Sequence, residues 1–435
     1  MNTVTESDLK RSRTMYIIEA ALEYLISLLV TGAFLATITK ELGISDSLTA
    51  VLSAITALGC LFQLASVSFR KNSVKRMVVI LSVANQLLFG LLYLIPLFDI
   101  SKTVKTVIFV CFVVFAYMVY NFAHPKKIAW LMSLVDDDKR GRFTANKEIV
   151  SLISGMVFSY LMGLLIDFFK EKNDLKTAFI ISAATIFLLM VGHTLTLLFS
   201  VEKTSDSVNT VMAEKSIRAR FASVLKDSNI RKVTAVYVLY QIATYSALSF
   251  YGTFVVNDLG MELALVSLIT IAGSLARITV SRFWGKYADK YSFASLIEKC
   301  FIIFALSLLC MSFASARIGI VMYTLYHILH GIAMGGINSS LTNMIFDYAP
   351  REKRADALVV SQSTAGVIGF LMTIVMSLVF ERLQQRVAGS GIFAQQILSL
   401  FSVAIVIIAI IFVRIAIIRP ERERKKYIEE HKSEL

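Results

Sequence analysis

The chain has 435 residues, 56% of them hydrophobic and 17% charged, with a net charge of +13. Soluble domains average roughly 45–50% apolar and about 25% charged residues, and a soluble globule of this length cannot bury such an apolar excess. With a mean hydropathy of +0.69, disorder, collagen and a disulfide scaffold are excluded and a polytopic membrane protein remains.

The N-terminal tail, 1–15, is polar and carries Lys10, Arg11 and Arg13. A full-length apolar span follows it, not a short core ending in a small-residue cleavage site, so no secretory signal is read. Stretches of roughly 20 apolar residues recur at 16–39, 47–69, 77–98, 107–135, 149–169, 177–200, 231–256, 263–283, 293–315, 318–346, 358–380 and 392–413. These runs are too long and too uniformly apolar for the alternation of a barrel strand. The expected fold class is an all-α membrane protein with twelve transmembrane helices. Cys60, Cys111, Cys300 and Cys310 lie in apolar runs without metal-ligand spacing. They read as small buried hydrophobes, and no metal or other cofactor is expected.

The basic excess reports orientation. With the N-terminus in the cytoplasm, 31 of the 44 Lys and Arg residues fall on the cytoplasmic side and 9 on the other, while Lys126, Lys127, Arg277 and Lys299 fall within spans. That asymmetry obeys the positive-inside rule and puts both termini in the cytoplasm. The charge implies contact with the lipid bilayer, and no nucleic-acid partner is required.

The chain repeats itself at an offset of 214 residues. Thr56, Gly59, Leu61 and Phe69 match Thr270, Gly273, Leu275 and Phe283; Lys139 and Arg140 match Lys353 and Arg354; Gly155 matches Gly369. Two related halves follow: an N-terminal six-helix bundle at 16–200 and a C-terminal one at 231–413, joined by a linker at 201–230 and ending in a tail at 414–435. In the linker, Ile217, Phe221, Val224 and Leu225 share one helical face while Lys215, Arg218 and Arg220 point elsewhere. An amphipathic helix along the cytoplasmic membrane surface is expected there.

Twelve spans as six plus six, cytoplasmic termini and a basic central loop resemble the major facilitator superfamily over essentially the whole chain. Gly285-Lys-Tyr-Ala-Asp289-Lys290 resembles the family's G-x-x-x-D-[RK] loop, although Ser292, Phe293 and Ala294 stand where basic residues usually follow. The equivalent first-half loop, Arg70 to Arg76, has lost the acid. The turns Asp138 to Arg142 and Pro350 to Arg354 resemble the loops after spans 4 and 10. The resemblance implies two pseudo-symmetric bundles that rock around a midplane site lined by spans 1, 4, 7 and 10. It also implies a conformational latch of Gly285, Asp289, Arg354 and Arg140. Span 11 starts just after Asp356, and its N-terminal N–H groups and dipole would attract Asp289. The alternative is a solvated turn acid.

Charges inside the bilayer are expensive and mark function by default. Glu19 and Glu23 in span 1 are four residues apart and share a face. Glu23 is on the order of 10 Å into the helix at 1.5 Å per residue, while Glu19 is shallower and able to snorkel. Span 4 carries His124-Pro125-Lys126-Lys127 at matching depth. Adjacent lysines diverge by about 100°, so at most one faces a cavity squarely. A Glu23–lysine pair is expected, with Glu23 and Glu19 carrying a proton and Lys126 or Lys127 holding a substrate anion or the counter-charge. The alternative is a static pair that only fixes packing. In the second half, Tyr240, Gln241 and Asn338 are the substrate-binding candidates, and Asn338 matches His124 at the 214 offset. His327, His330 and His193 read as hydrogen-bonding or packing residues, and Arg277 as structural. Gly331 and Gly335 have the spacing of a close helix contact.

No P-loop, G-x-G-x-x-G or H-E-x-x-H is present, which gives no support to ATP-driven transport or to an enzyme. Span 5 reads Ser154 to Tyr160 without the proline of the family's drug/proton antiporters. The expectation is a monomeric, proton-coupled secondary transporter of a small anionic or polar organic solute in a plasma or inner membrane. Its partners would be that solute and protons or another coupling ion. A cation or drug/proton antiporter is the nearest alternative, and a non-transporting membrane sensor or scaffold is the alternative of another class.

Overall fold

A computed structural model describes residues 5–59, 61–63, 73–136, 140–202, 217–350, 353–420 and 423, and among these there is no strand. Helix α1 (Glu6–Leu29) starts ten residues before the expected span. The reason is local: the Thr5 hydroxyl accepts from the Asp8 N–H while the Asp8 carboxylate accepts from the Thr5 N–H, which satisfies two end groups reciprocally. At its far end the Ser27 and Thr31 hydroxyls donate to carbonyls of the preceding turn and Gly32 takes a φ of 54°. Such side-chain bonds compete with the helix ladder, and α2 (Gly32–Glu41) leaves at a bend of 41°.

Helix α3 (Asp46–Ser53) runs into a 3₁₀ turn at Ala54–Leu58. Then come α4 (Val74–Leu94), α5 (Lys102–Met132), α6 (Arg140–Glu171) and α7 (Leu175–Phe199), with the linker helix α8 (Ile217–Leu225) after them. The second half has α9 (Ser228–Ala247), prolonged by irregular turns to Asp258, then α10 (Leu263–Lys290), α11 (Phe293–Ser312), α12 (Gly319–Tyr348), α13 (Arg354–Val387) and α14 (Ala394–Val413). Among the described residues 11 helices are long and apolar enough to cross a membrane, and the bent α1–α2 pair brings the number to 12.

The repeat read in the sequence recurs in the packing. Helix α1 packs on α6 and α7, and α4 on α5 and α7; in the second half α9 packs on α13 and α14, and α11 on α12 and α14. The repeated glycines lie at equivalent contacts. A Cβ on Gly155 would strike the Tyr24 ring of α1, and one on Gly369 would meet the Tyr245 ring of α9 at 2.7 Å. A Cβ on Gly59 would collide with Asn121 of α5, and one on Gly273 would lie 2.6 Å from the His327 carbonyl oxygen of α12. Two pseudo-symmetric helical bundles are therefore present, as the sequence predicts.

By contacts the chain divides into two units, Met1–Ser216 with Phe250–Leu268, and Ile217–Ser249 with Ile269–Leu435. The stretch Phe250–Leu268, which sequence alone assigns to the second bundle, thus packs with the first. Among the contacts that hold it are the following. Asn257 Nδ2 donates to Asp46 Oδ1 at 2.6 Å. A Cβ on Gly252 would come within 2.6 Å of the Gly32 carbonyl oxygen. The buried Asp167 of α6 accepts the backbone N–H groups of Leu263 at 3.1 Å and Ala264 at 2.7 Å, which are otherwise orphans at the start of α10.

The linker helix α8 forms as expected, with Val224 buried but Leu225 exposed. Cys60, Phe69, Arg70, Lys71, Lys139, Arg351, Lys215, most of the C-terminal tail, and the side chains of Arg140, Ile217, Arg218 and Arg220 lie outside the described residues. Cys111, Cys300 and Cys310 are free; Cys300 is buried as expected, but Cys111 is exposed on its apolar helix.

Candidate functional site

Three in-membrane charges of the first unit and one histidine converge. Glu19 and Glu23 sit one turn apart on α1, Lys127 comes from α5 and His193 from α7. The Lys127 ammonium donates to Glu19 Oε1 at 2.7 Å and also to Glu23 Oε2. His193 Nε2 lies 3.0 Å from the same Glu19 oxygen. Lys127 and Glu19 are 4% and 2% exposed, whereas Glu23 is 22% exposed. Glu23 opens onto a cavity of about 290 Å³ that is also lined by Tyr24, Tyr120, Thr144, Lys147 and Glu148.

Of the two adjacent lysines, Lys127 is the one paired with the carboxylates. Lys127 meets the carboxylates and is buried, while Lys126 points off at the helical angle and is half-buried. Glu19 differs from the expectation that it snorkels. Its carboxylate turns inward because Lys127 and His193 satisfy it there, which offsets desolvation that an isolated carboxylate would not survive. His193 is a hydrogen-bonding residue as read, but its partner is a functional candidate, and sequence offered only a polar group in span 6 as the signal.

Two carboxylates face one ammonium here, so the cluster has one acid more than it has lysines and has room for one further positive charge. The carboxylates of Glu19 and Glu23 and a His193 ring nitrogen all lie within 4.8 Å of one another. Among the described residues these three are the groups that could hold a metal ion, though the Lys127 ammonium bonds both carboxylates.

The other candidates are placed as follows. His124, half-buried, lies 5.0 Å from the Tyr120 ring, and its buried Nδ1 has no hydrogen-bond partner among the described residues. Tyr240 stacks on Phe301 with centroids 6.0 Å apart and its hydroxyl reaches Met334 Sδ at 3.4 Å; that is packing within the second unit. Gln241 is half-buried and Asn338 is exposed. His330 stacks on Tyr326 and lies tilted against Phe304, and His327 meets the edges of Tyr323 and Tyr326, so both serve an aromatic core. Gly331 backs onto the Gly273 backbone, the close contact that its spacing implied. Of the latch residues, Gly285 and Asp289 are exposed, and Asp289 has no ion-pair partner among the described residues. Arg354 Nε donates to Ala349 O at 3.4 Å. The structure does not join Asp289 to Arg354.

The profile of the Major Facilitator Superfamily matches residues 20–371 and, in a second register, 233–434. The chain belongs to the major facilitator superfamily. Among solved structures it is similar to the nucleoside transporter NupG (15% identity, 93% of this chain and 98% of that one, TM-score 0.66). It is also similar to the POT family transporter PepTSo (11%, 93% and 97%, TM-score 0.68) and to a D-xylose–proton symporter (12%, 93% and 96%, TM-score 0.66). No curated protein matches the sequence. These identities establish the fold alone, and the family establishes a multi-pass membrane transporter that is not an enzyme.

Proposed function

We propose that this superfamily member is a proton-coupled secondary transporter of a small polar or anionic organic solute, with Glu23, Glu19, Lys127 and His193 as its coupling centre. The observation that carries the reading is one lysine shared by two carboxylates inside the membrane, one carboxylate sealed and the other open to a cavity. Protonating Glu23 from the cavity removes one of the two charges holding Lys127. The ammonium is then left with Glu19 and is free to share its remaining donors with an anionic or polar group of the solute. Proton and solute thereby enter together, and alternating access carries both across. Among the solved structures similar to this chain, one is named as a sugar–proton symporter.

The extra carboxylate of the cluster favours a second reading, a cation antiporter in which a cation and a proton compete for Glu19 and Glu23. One experiment separates the two. The purified protein is screened by thermal shift against a metabolite and cation panel, because a ligand that binds only the folded state raises its stability. The best ligand is then followed into proteoliposomes under a pH gradient. Expected is accumulation driven by inward protons, lost in Glu23→Gln while gradient-free exchange persists. Gradient-driven accumulation that survives Glu23→Gln refutes the coupling role, and a ligand panel containing only cations decides for the antiporter. The cytoplasmic termini stand with this proposal on the charge asymmetry, and the monomeric state and the plasma or inner membrane are part of the same proposal.

A further inference from the structure

At one end of the second unit a cavity of about 560 Å³ opens between α11 and the turn that follows α14. It lies on the face to which the sequence assigns the Lys and Arg excess, and its cationic groups are Lys299, Arg414 and Arg419. A backbone irregularity brings two of them together. Residues 414–418 form a π turn, closed by the Arg419 N–H on the Arg414 carbonyl. In a regular α-helix, residues five apart stand about 140° apart round the axis. The wider turn rotates Arg414 and Arg419 toward one side, and such turns recur at functional sites.

Each arginine is oriented by one nitrogen and keeps the others. Arg414 donates through Nε to Glu298 Oε1 at 2.7 Å, with Glu298 only 5% exposed beneath a guanidinium that is 67% exposed. Arg419 donates through Nε to Glu423 Oε1 at 2.9 Å. Their terminal nitrogens make no bond among the described residues, and the exposed Lys299 has no partner among them. Two preoriented guanidinium forks and an ammonium around one cavity form a donor set for a tetrahedral oxyanion. Glu298 is neutralised from above, and the Arg419–Glu423 pair is 74% and 65% exposed, where an ion pair is worth little and yields to a competing anion.

We infer that this cavity binds a phosphate group, either on the headgroup of an anionic phospholipid or as a free ion. A basic pocket between helices at the charged boundary of a bilayer is where such a headgroup docks. Occupied, it would tie α14 to α11 at the membrane surface.

The test uses the purified full-length protein in a neutral detergent. Its melting temperature is recorded with phosphatidylglycerol, with phosphatidylcholine and with inorganic phosphate at matched ionic strength. Expected is a rise of several degrees with phosphatidylglycerol that falls by more than half in the double variant Lys299→Gln, Arg419→Gln. Both side chains are exposed, so the unliganded variant should melt with the parent. Arg414 is spared because its loss would leave Glu298 buried and unpaired. A rise with inorganic phosphate that the same variant abolishes supports the site with a free ion as its source. An equal rise with phosphatidylcholine, no rise with either phosphate source, or a full rise in the double variant overturns the inference.

Discussion

Lys127 and Glu19 meet at 2.7 Å with neither side chain more than 4% exposed. A buried pair of this kind is weak evidence for stability in itself, but breaking it is costly: removing one partner of a buried ion pair costs about 3–5 kcal/mol. Lys127→Met should therefore lower the melting temperature steeply, because it strands two carboxylates. Adding Glu19→Gln should restore part of the loss, since the second change removes a charge the first left unpaired. The measurement is thermal unfolding of both single variants and the double. Additive losses would mean that the two residues are not energetically coupled.

His193 is tied to the same carboxylate oxygen at 3.0 Å and is fully buried. A hydrogen bond to a charged group contributes about 1.5–3 kcal/mol. His193→Leu should cost about that much stability and slow transport, whereas His193→Gln keeps a donor within reach of Glu19 and should recover most of both. Equal behaviour of the two variants would mean that the imidazole only fills space.

Asp167 makes a different prediction, because its partners are backbone. Its two oxygens take the first N–H groups of α10, Leu263 and Ala264, and loss of such a cap costs about 0.5–2 kcal/mol. Asp167→Ala should melt a few degrees lower. It should also loosen the stretch Phe250–Leu268 from the first unit, seen as faster labelling of a cysteine placed at the buried Val256. Asp167→Asn keeps one acceptor oxygen and should fall between the parent and the alanine variant. Unchanged labelling in Asp167→Ala would show that the cap does not hold the segment.

These residues also mark where sequence reasoning reached and where it stopped. The twelve spans were legible because burial in lipid imposes long apolar runs, and the halves because Gly155 and Gly369 repeat at contacts only glycine allows. Glu19, Glu23 and Lys127 stood out because a charge in a span is rare. The fate of Glu19 was not legible: snorkelling and inward pairing differ by its contact with His193, 174 residues away, and no local pattern encodes that. Asp167 lay near a span end, where acids are ordinary, and its cap joins segments 96 and 97 residues apart. The surroundings of Tyr240 were not legible for another reason. A tyrosine in a span packs or lines a cavity with the same sequence signature, and here Phe301 and Phe304 take its ring.

Two glycines on facing stretches of the second unit give the last prediction. Gly331 backs onto the Gly273 backbone so closely that an added Cβ would overlap the Gly273 carbonyl, whereas a Cβ on Gly285 meets nothing within 4 Å. Backbone cannot move aside as a flexible side chain can, so Gly331→Ala must separate α10 from α12. It should sharply reduce the yield of folded protein. Gly285→Ala lies within α10 and removes about 0.8–1.0 kcal/mol of helix-propensity cost. It should leave the melting temperature equal or slightly higher. If Gly285→Ala is nonetheless slow in transport, the defect lies in the conformational cycle and supports a role for the Gly285–Asp289 segment, which is the last turns of α10 and not a loop. If it transports normally, the glycine is dispensable and has no part in a latch. Gel-filtration yield, melting temperature and uptake on the same two variants separate these outcomes.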